Sequence, residues 1–147
     1  MAKEIFKSTT MLKEGLKVEC IARDHKIVLD EPEELKGSDL GMNPVEAILC
    51  ALGACKCIVA KSYAKLHRIN LQDIKIELEG DLDPDGFMGK NPGAKIGFSE
   101  IRNKIYIKSN SSEEDIKKFV EFIDKTCPVA DTLTNSPKLV TEIEIER

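Results

Sequence analysis

The chain has 147 residues, 41% of them apolar and 33% charged, with 22 Lys and Arg against 26 Asp and Glu for a net charge of −4. That length suits a single domain, 1–147, with a core of its own, and the apolar fraction excludes disorder. A mildly acidic chain without a basic cluster is expected not to bind nucleic acid, where affinity comes mainly from neutralised phosphates.

The opening residues, Met1 to Ser8, contain no apolar run of signal-peptide length. The longest uncharged stretch of an apolar region, Ala47 to Cys55, falls far short of the roughly 20 residues that cross a bilayer. A soluble, cytoplasmic protein with no membrane partner is therefore expected. A first strand is expected around Glu4 to Leu12. Leu16, Val18, Cys20 and Ala22 alternate with Lys17, Glu19, Ile21 and Arg23, which is strand spacing. Arg23-Asp24-His25-Lys26 reads as a turn into a strand at Ile27-Val28-Leu29. Asp30 to Met42, with Pro32, Gly37 and Gly41, reads as a loop.

Asn43-Pro44-Val45-Glu46 is a helix start, with Asn43 as cap, Pro44 at the first helical position and Glu46 completing a capping box. The helix is predicted to run to about His67. Leu71 to Leu82 alternates as a strand, Asp83 to Phe98 is a Gly- and Pro-rich loop, and Ile101, Ile105 and Ile107 mark a further strand. Ser111 and Glu114 form a second capping box, opening a helix with Ile116, Phe119, Val120 and Ile123 on its apolar face. Thr126-Cys127-Pro128-Val129 starts a short helix that Pro137 limits. Leu139 to Glu146 is expected to close the chain as a strand, Ile143 and Ile145 facing inward. Helices and strands without regular alternation give an α+β class.

Between Asn43 and Ala60 the only charges are Glu46 and Lys56. A surface helix shows one apolar stripe, whereas this one is apolar nearly all round and calls for cover on most sides. One sheet covers one face; a second copy of the chain, in a homodimer, is the expected cover for the other.

Five cysteines are an odd number, which a closed disulfide framework does not use up. Cys20 and Cys50 lie in apolar patterns and read as core residues. Cys55 and Cys57 point about 200° apart on a helix, so they cannot grip one ion. His25 and His67 show no ligand spacing to them, so no metal and no cofactor is expected. Cys57 stays undecided. Cys127 precedes Pro128 and is a candidate N-cap, where backbone N–H groups and the helix dipole favour a thiolate. By this argument Cys127 is a reactive candidate and Cys55 is open between core and site.

The segment Gly41-Met42-Asn43-Pro44-Val45-Glu46-Ala47-Ile48-Leu49-Cys50-Ala51-Leu52-Gly53-Ala54-Cys55 resembles the central-helix signature of the OsmC/Ohr family, the osmotically inducible and organic hydroperoxide resistance proteins. Cys127-Pro128-Val129 resembles its second cysteine motif. Ala22-Arg23-Asp24-His25, followed by Leu29-Asp30-Glu31-Pro32, resembles the region that supplies its arginine. The resemblance, in order over nearly the whole chain, implies an OsmC-like intertwined fold with antiparallel sheets around a long buried central helix. It implies a homodimer that reduces organic or hydrogen peroxides at a two-cysteine site and is recycled by a dithiol reductant. By position Cys55 would be the peroxidatic thiol, Cys127 the resolving thiol and Arg23 the thiolate's partner, whereas the cap argument makes Cys127 the more acidic of the two. In peroxidase members a glutamate directly follows the Asn-Pro pair. Here Val45 takes that place and Glu46 comes one residue later, so Glu46 is a candidate for that role and equally the partner of the Asn43 cap. An OsmC-like small-ligand-binding protein is the alternative, and a metal-binding stress protein a third.

Overall fold

The computed structural model describes residues 2–147; Met1 lies outside the described residues. The chain divides between Leu49 and Cys50 into two compact units. The first holds an antiparallel three-stranded sheet: β1 (Thr9–Leu12), β2 (Val18–Ala22) and β3 (His25–Leu29), in the order β1-β2-β3. The register pairs Cys20 with both Thr10 and Ile27, and Ala22 with His25. Residues 4–8, expected to begin the first strand, form no regular element.

The tight turn between β2 and β3 puts Arg23 at φ 55°, in the left-handed region. The loop after β3 is organised by Asp30, which is 2% exposed. Its carboxylate accepts N–H bonds from Glu31 at 2.8 Å, Leu40 at 3.2 Å and Ser38 at 3.4 Å. These donors, Glu31 first, hold the Asp30 carboxyl below the usual carboxylate range. A one-turn 3-10 helix (Glu33–Leu35) sits in the loop. A Cβ at Gly37 would run into the backbone of Glu31, which is why glycine stands there.

Helix α1 (Pro44–Tyr63) starts where expected. Asn43 Oδ1 accepts from the Glu46 N–H at 2.9 Å, and Glu46 Oε1 accepts from the Asn43 N–H at 3.0 Å, a reciprocal capping box. Regular helix stops at Tyr63. Ile69 N–H still bonds back to Ala64 O at 2.8 Å, with Arg68 left-handed at φ 58°, so the helical run closes only beyond His67.

The second unit carries β4 (Leu71–Leu82) antiparallel to β5 (Phe98–Ser109), each twelve residues long. Their apolar residues alternate as predicted, and the other face is polar, with Arg102 bonded to Glu79, Asp81 and Glu100. Gly53 of α1 packs where a Cβ would come within 2.7 Å of Leu78 Cδ1, so this mid-helix glycine admits close approach to β4. The loop between the strands folds around α2 (Pro84–Phe87), capped by Asp83, which accepts from the Asp85 N–H at 2.9 Å.

Helix α3 (Glu113–Thr126) lays Phe119 and Ile123 into a core with Val59, Ala60, Ala64 and Ile69; Cys55, Leu71, Ile74 and Phe122 pack around it. Tyr63 meets Phe122 edge-on at 5.2 Å between ring centroids, and His67 lies 4.1 Å from Phe122. The cap of α3 is Ser112, not Ser111: Ser112 Oγ accepts from the Asp115 N–H at 3.1 Å. Ser111 is used otherwise, its hydroxyl accepting from the Asn70 N–H at 3.0 Å and tying the end of β5 to the start of β4.

Two expectations fail in the single chain, the closing strand and a buried Cys50. Leu139 to Glu146 forms no strand, and Leu139, Val140, Ile143 and Ile145 are 89%, 74%, 82% and 71% exposed. A strand needs an edge to bond to, and neither sheet of the chain takes this segment up. Helix α1 buries one face, Leu52, Gly53, Lys56, Val59 and Ala60, while Ile58 stays 66% exposed. Cys50, expected in the core, is exposed, because two residues before Leu52 places it about 200° round the helix. Cys20 is half-buried on β2. Among the described residues no helix is long and apolar enough to cross a membrane.

Candidate active site

Cys127 occupies a single-residue junction, the C-cap of α3 and the N-cap of α4 (Pro128–Thr134). Its N–H bonds to Ile123 O at 3.1 Å, ending one helix. Its Sγ accepts from the Ala130 N–H at 3.4 Å, starting the next. The cap predicted from Cys127-Pro128 is therefore present, with the side chain 1% exposed.

Cys55, half-buried on α1 and packed against the core, lies near enough to Cys127 for that residue to act on its thiol. Burial pushes the Cys55 thiol up, and the neighbouring Cys127 pushes it the same way. The Val129 N–H and the Lys56 ammonium pull it down. Cys55 is half-buried whereas Cys127 is closed off, so Cys55 is the more accessible residue of the two. Burial also pushes the Cys57 thiol up. No group of three or more His, Cys, Asp or Glu among the described residues is placed to hold a metal.

Lys56, which the sequence marks only as a lone charge in an apolar helix, is 5% exposed. Its Nζ donates to Asn103 Oδ1 of β5 and to Asp124 Oδ1 of α3, both at 2.8 Å. A cavity of about 340 Å³ opens beside it, lined by Leu52 and Lys56 of α1, Phe98 and Ile101 of β5, and Ala130 and Leu133 of α4.

The other two sequence candidates belong to the first unit. Arg23 is exposed at the β2–β3 turn. The Glu46 carboxylate is engaged at the start of α1 as the cap partner of Asn43.

The family profile described as OsmC-like protein matches residues 37–142. A protein of Mycoplasma genitalium named hydroperoxide reductase is 28% identical over 138 residues, covering 93% of this chain and 92% of that protein. The crystal structure of an OsmC-like protein from Mycoplasma pneumoniae superposes with a TM-score of 0.80 at 27% identity, over 92% of this chain and 91% of the other. An organic hydroperoxide resistance protein from Legionella pneumophila reaches a TM-score of 0.64 at 18% identity, over 92% and 93% of the two chains, a likeness of fold. With mixed antiparallel sheets and helices and a profile match over more than half its length, this chain belongs to the OsmC-like protein family.

Proposed function

We propose that the protein is a thiol-dependent peroxidase that reduces organic hydroperoxides through Cys55 and Cys127, in the cytoplasm, where thiols stay reduced. The observation that carries this reading is that Cys127, buried at a helix start, lies near enough to half-buried Cys55 to act on its thiol. Relatives named hydroperoxide reductase support a peroxide-related function at the level of the family.

In this mechanism the Cys55 thiolate attacks the outer oxygen of ROOH. An S–O bond forms, the O–O bond breaks, and the alkoxide leaves as ROH after taking a proton. Cys127 then attacks the Cys55 sulfur, forming S–S, breaking S–O and releasing water with the thiol proton. A dithiol returns both residues to thiols by exchange. Burial and the neighbouring Cys127 keep the Cys55 thiol high, so the attack needs a cation to favour the thiolate. The family pattern carries Arg23 into that role. For Glu46 the reading keeps the cap and no chemistry, because its carboxylate already accepts the Asn43 N–H.

One equivalent of cumene hydroperoxide is expected to remove two titratable thiols per chain, mapped by peptide mass spectrometry to Cys55 and Cys127. Retention of all thiols refutes the peroxidase and favours the second reading, a small-ligand-binding protein using the 340 Å³ cavity beside α1.

The partner in this reading is a second copy of the chain. Ile48 and Ile58 of α1 and the alternating tail with Ile143 and Ile145 leave apolar surface that a monomer exposes to water. Light scattering on the purified protein is expected to give twice the 16.4 kDa chain mass, and a monomer at micromolar concentration dismisses the dimer.

A further inference from the structure

Lysine is almost never fully buried unless paired, and Lys56 is buried beside one half of the thiol pair. Cys55 precedes it on α1. Asp124 stands in the last turn of α3, three residues before Cys127. Asn103 adds β5 as a third anchor. One ammonium thus joins the helix bearing one sulfur, the helix end leading to the other, and the strand beneath.

We propose that Lys56 is a positioning residue, whose bonds to Asp124 and Asn103 brace α1 against the end of α3 and hold Cys55 against Cys127 for disulfide closure. The proposal rests on the reading of Cys55 and Cys127 as a redox pair.

A disulfide demands sulfurs about 2.05 Å apart and Cα atoms within about 7 Å, so the chance that the pair closes depends on how firmly the two backbones are held. The Lys56–Asp124 bond spans the same two elements that this geometry must fix. Asp124 is half-exposed, with its side chain 51% accessible, so water takes over its solvation when the ammonium is removed. Lys56→Met keeps the unbranched stem and removes the buried charge, and is expected to fold.

A purely electrostatic role and a bracing role give different signs. If Lys56 served only to stabilise the Cys55 thiolate, Lys56→Met would weaken that effect, while Asp124→Ala would strengthen it by freeing the ammonium. A brace is lost in both variants.

The test equilibrates the protein with reduced and oxidised dithiothreitol and measures the Cys55–Cys127 disulfide by acid quench, alkylation and mass spectrometry, with circular dichroism as the check on folding. The disulfide forms by exchange: the small disulfide is reduced to its dithiol while the two protein thiols are oxidised, so no peroxide is required. Lys56→Met and Asp124→Ala are each expected to lower the equilibrium constant for closure about tenfold or more, a loss in keeping with ångström-scale misplacement of reacting groups. Should one variant fail to fold, the other decides. Closure in the unchanged protein that survives substitution within twofold, or that shifts in opposite directions in the two variants, overturns the brace. Absence of closure in the unchanged protein overturns the redox pair itself.

Discussion

Cys55→Ser is expected to lose dithiol-dependent hydroperoxide reduction by about a thousandfold or more, because a hydroxyl at ordinary pH supplies no comparable nucleophile and the whole first step is removed. Cys127→Ser is expected to fail differently. The first oxidation proceeds, one thiol per chain is consumed, and a sulfenic acid persists on Cys55 where dimedone captures it. Steady turnover falls because no resolving sulfur stands at the α3–α4 junction, where Cys127 is now buried and capped by Ala130 N–H. Arg23→Gln slows the first oxidation about tenfold or more if its guanidinium favours the thiolate, and leaves disulfide closure unchanged. Stopped-flow consumption of cumene hydroperoxide, paired with dimedone trapping, separates these outcomes. Equal turnover in Cys127→Ser and the unchanged protein contradicts the two-thiol mechanism, and an undiminished rate in Arg23→Gln removes that residue from it.

Phe119→Ala is expected to cost about 3–5 kcal/mol, among the largest single losses available to the fold. Phe119 is 1% exposed, lies in the core with Val59, Ala60 and Ile123, and has His67 5.5 Å from its ring centroid. Against a total stability of about 5–15 kcal/mol, that loss lowers the thermal midpoint by ~10 °C or more. Cys55 packs on the same cluster, so the loosened core is also expected to slow disulfide closure. Differential scanning calorimetry measures the first effect. A midpoint within 2–3 °C of the unchanged protein would mean that the cavity collapses at little cost.

Much of the secondary structure was legible because each signal acts within a few residues. Asn43, Pro44 and Glu46 announce the start of α1, and the capping box forms in both directions. The alternation of Ile74, Ile76 and Leu78 marks β4 from Leu71 to Leu82. Cys127-Pro128 announces α4, and the thiol caps it. Where local signals tie, they decide less. Ser111 and Ser112 both precede acidic residues, and the bond from Asn70 to Ser111 settles which one caps α3. The alternation of Leu139 to Ile145 is a true strand pattern, but alternation names no edge for the strand to bond to, and none of the chain's own is used.

The sequence by itself determined the cysteine inventory, the caps, the helix and strand periods and the family pattern, all carried by residues close in the chain or by their order along it. Only the tertiary structure decided that Cys55 comes near Cys127, seventy-two residues further on, and that the lone charge Lys56 is buried on Asp124 and Asn103. The reason is physical. Periodicity fixes the face of an element on which a side chain lies, whereas which elements meet, and whether a polar group finds its partner there, depends on packing between distant segments.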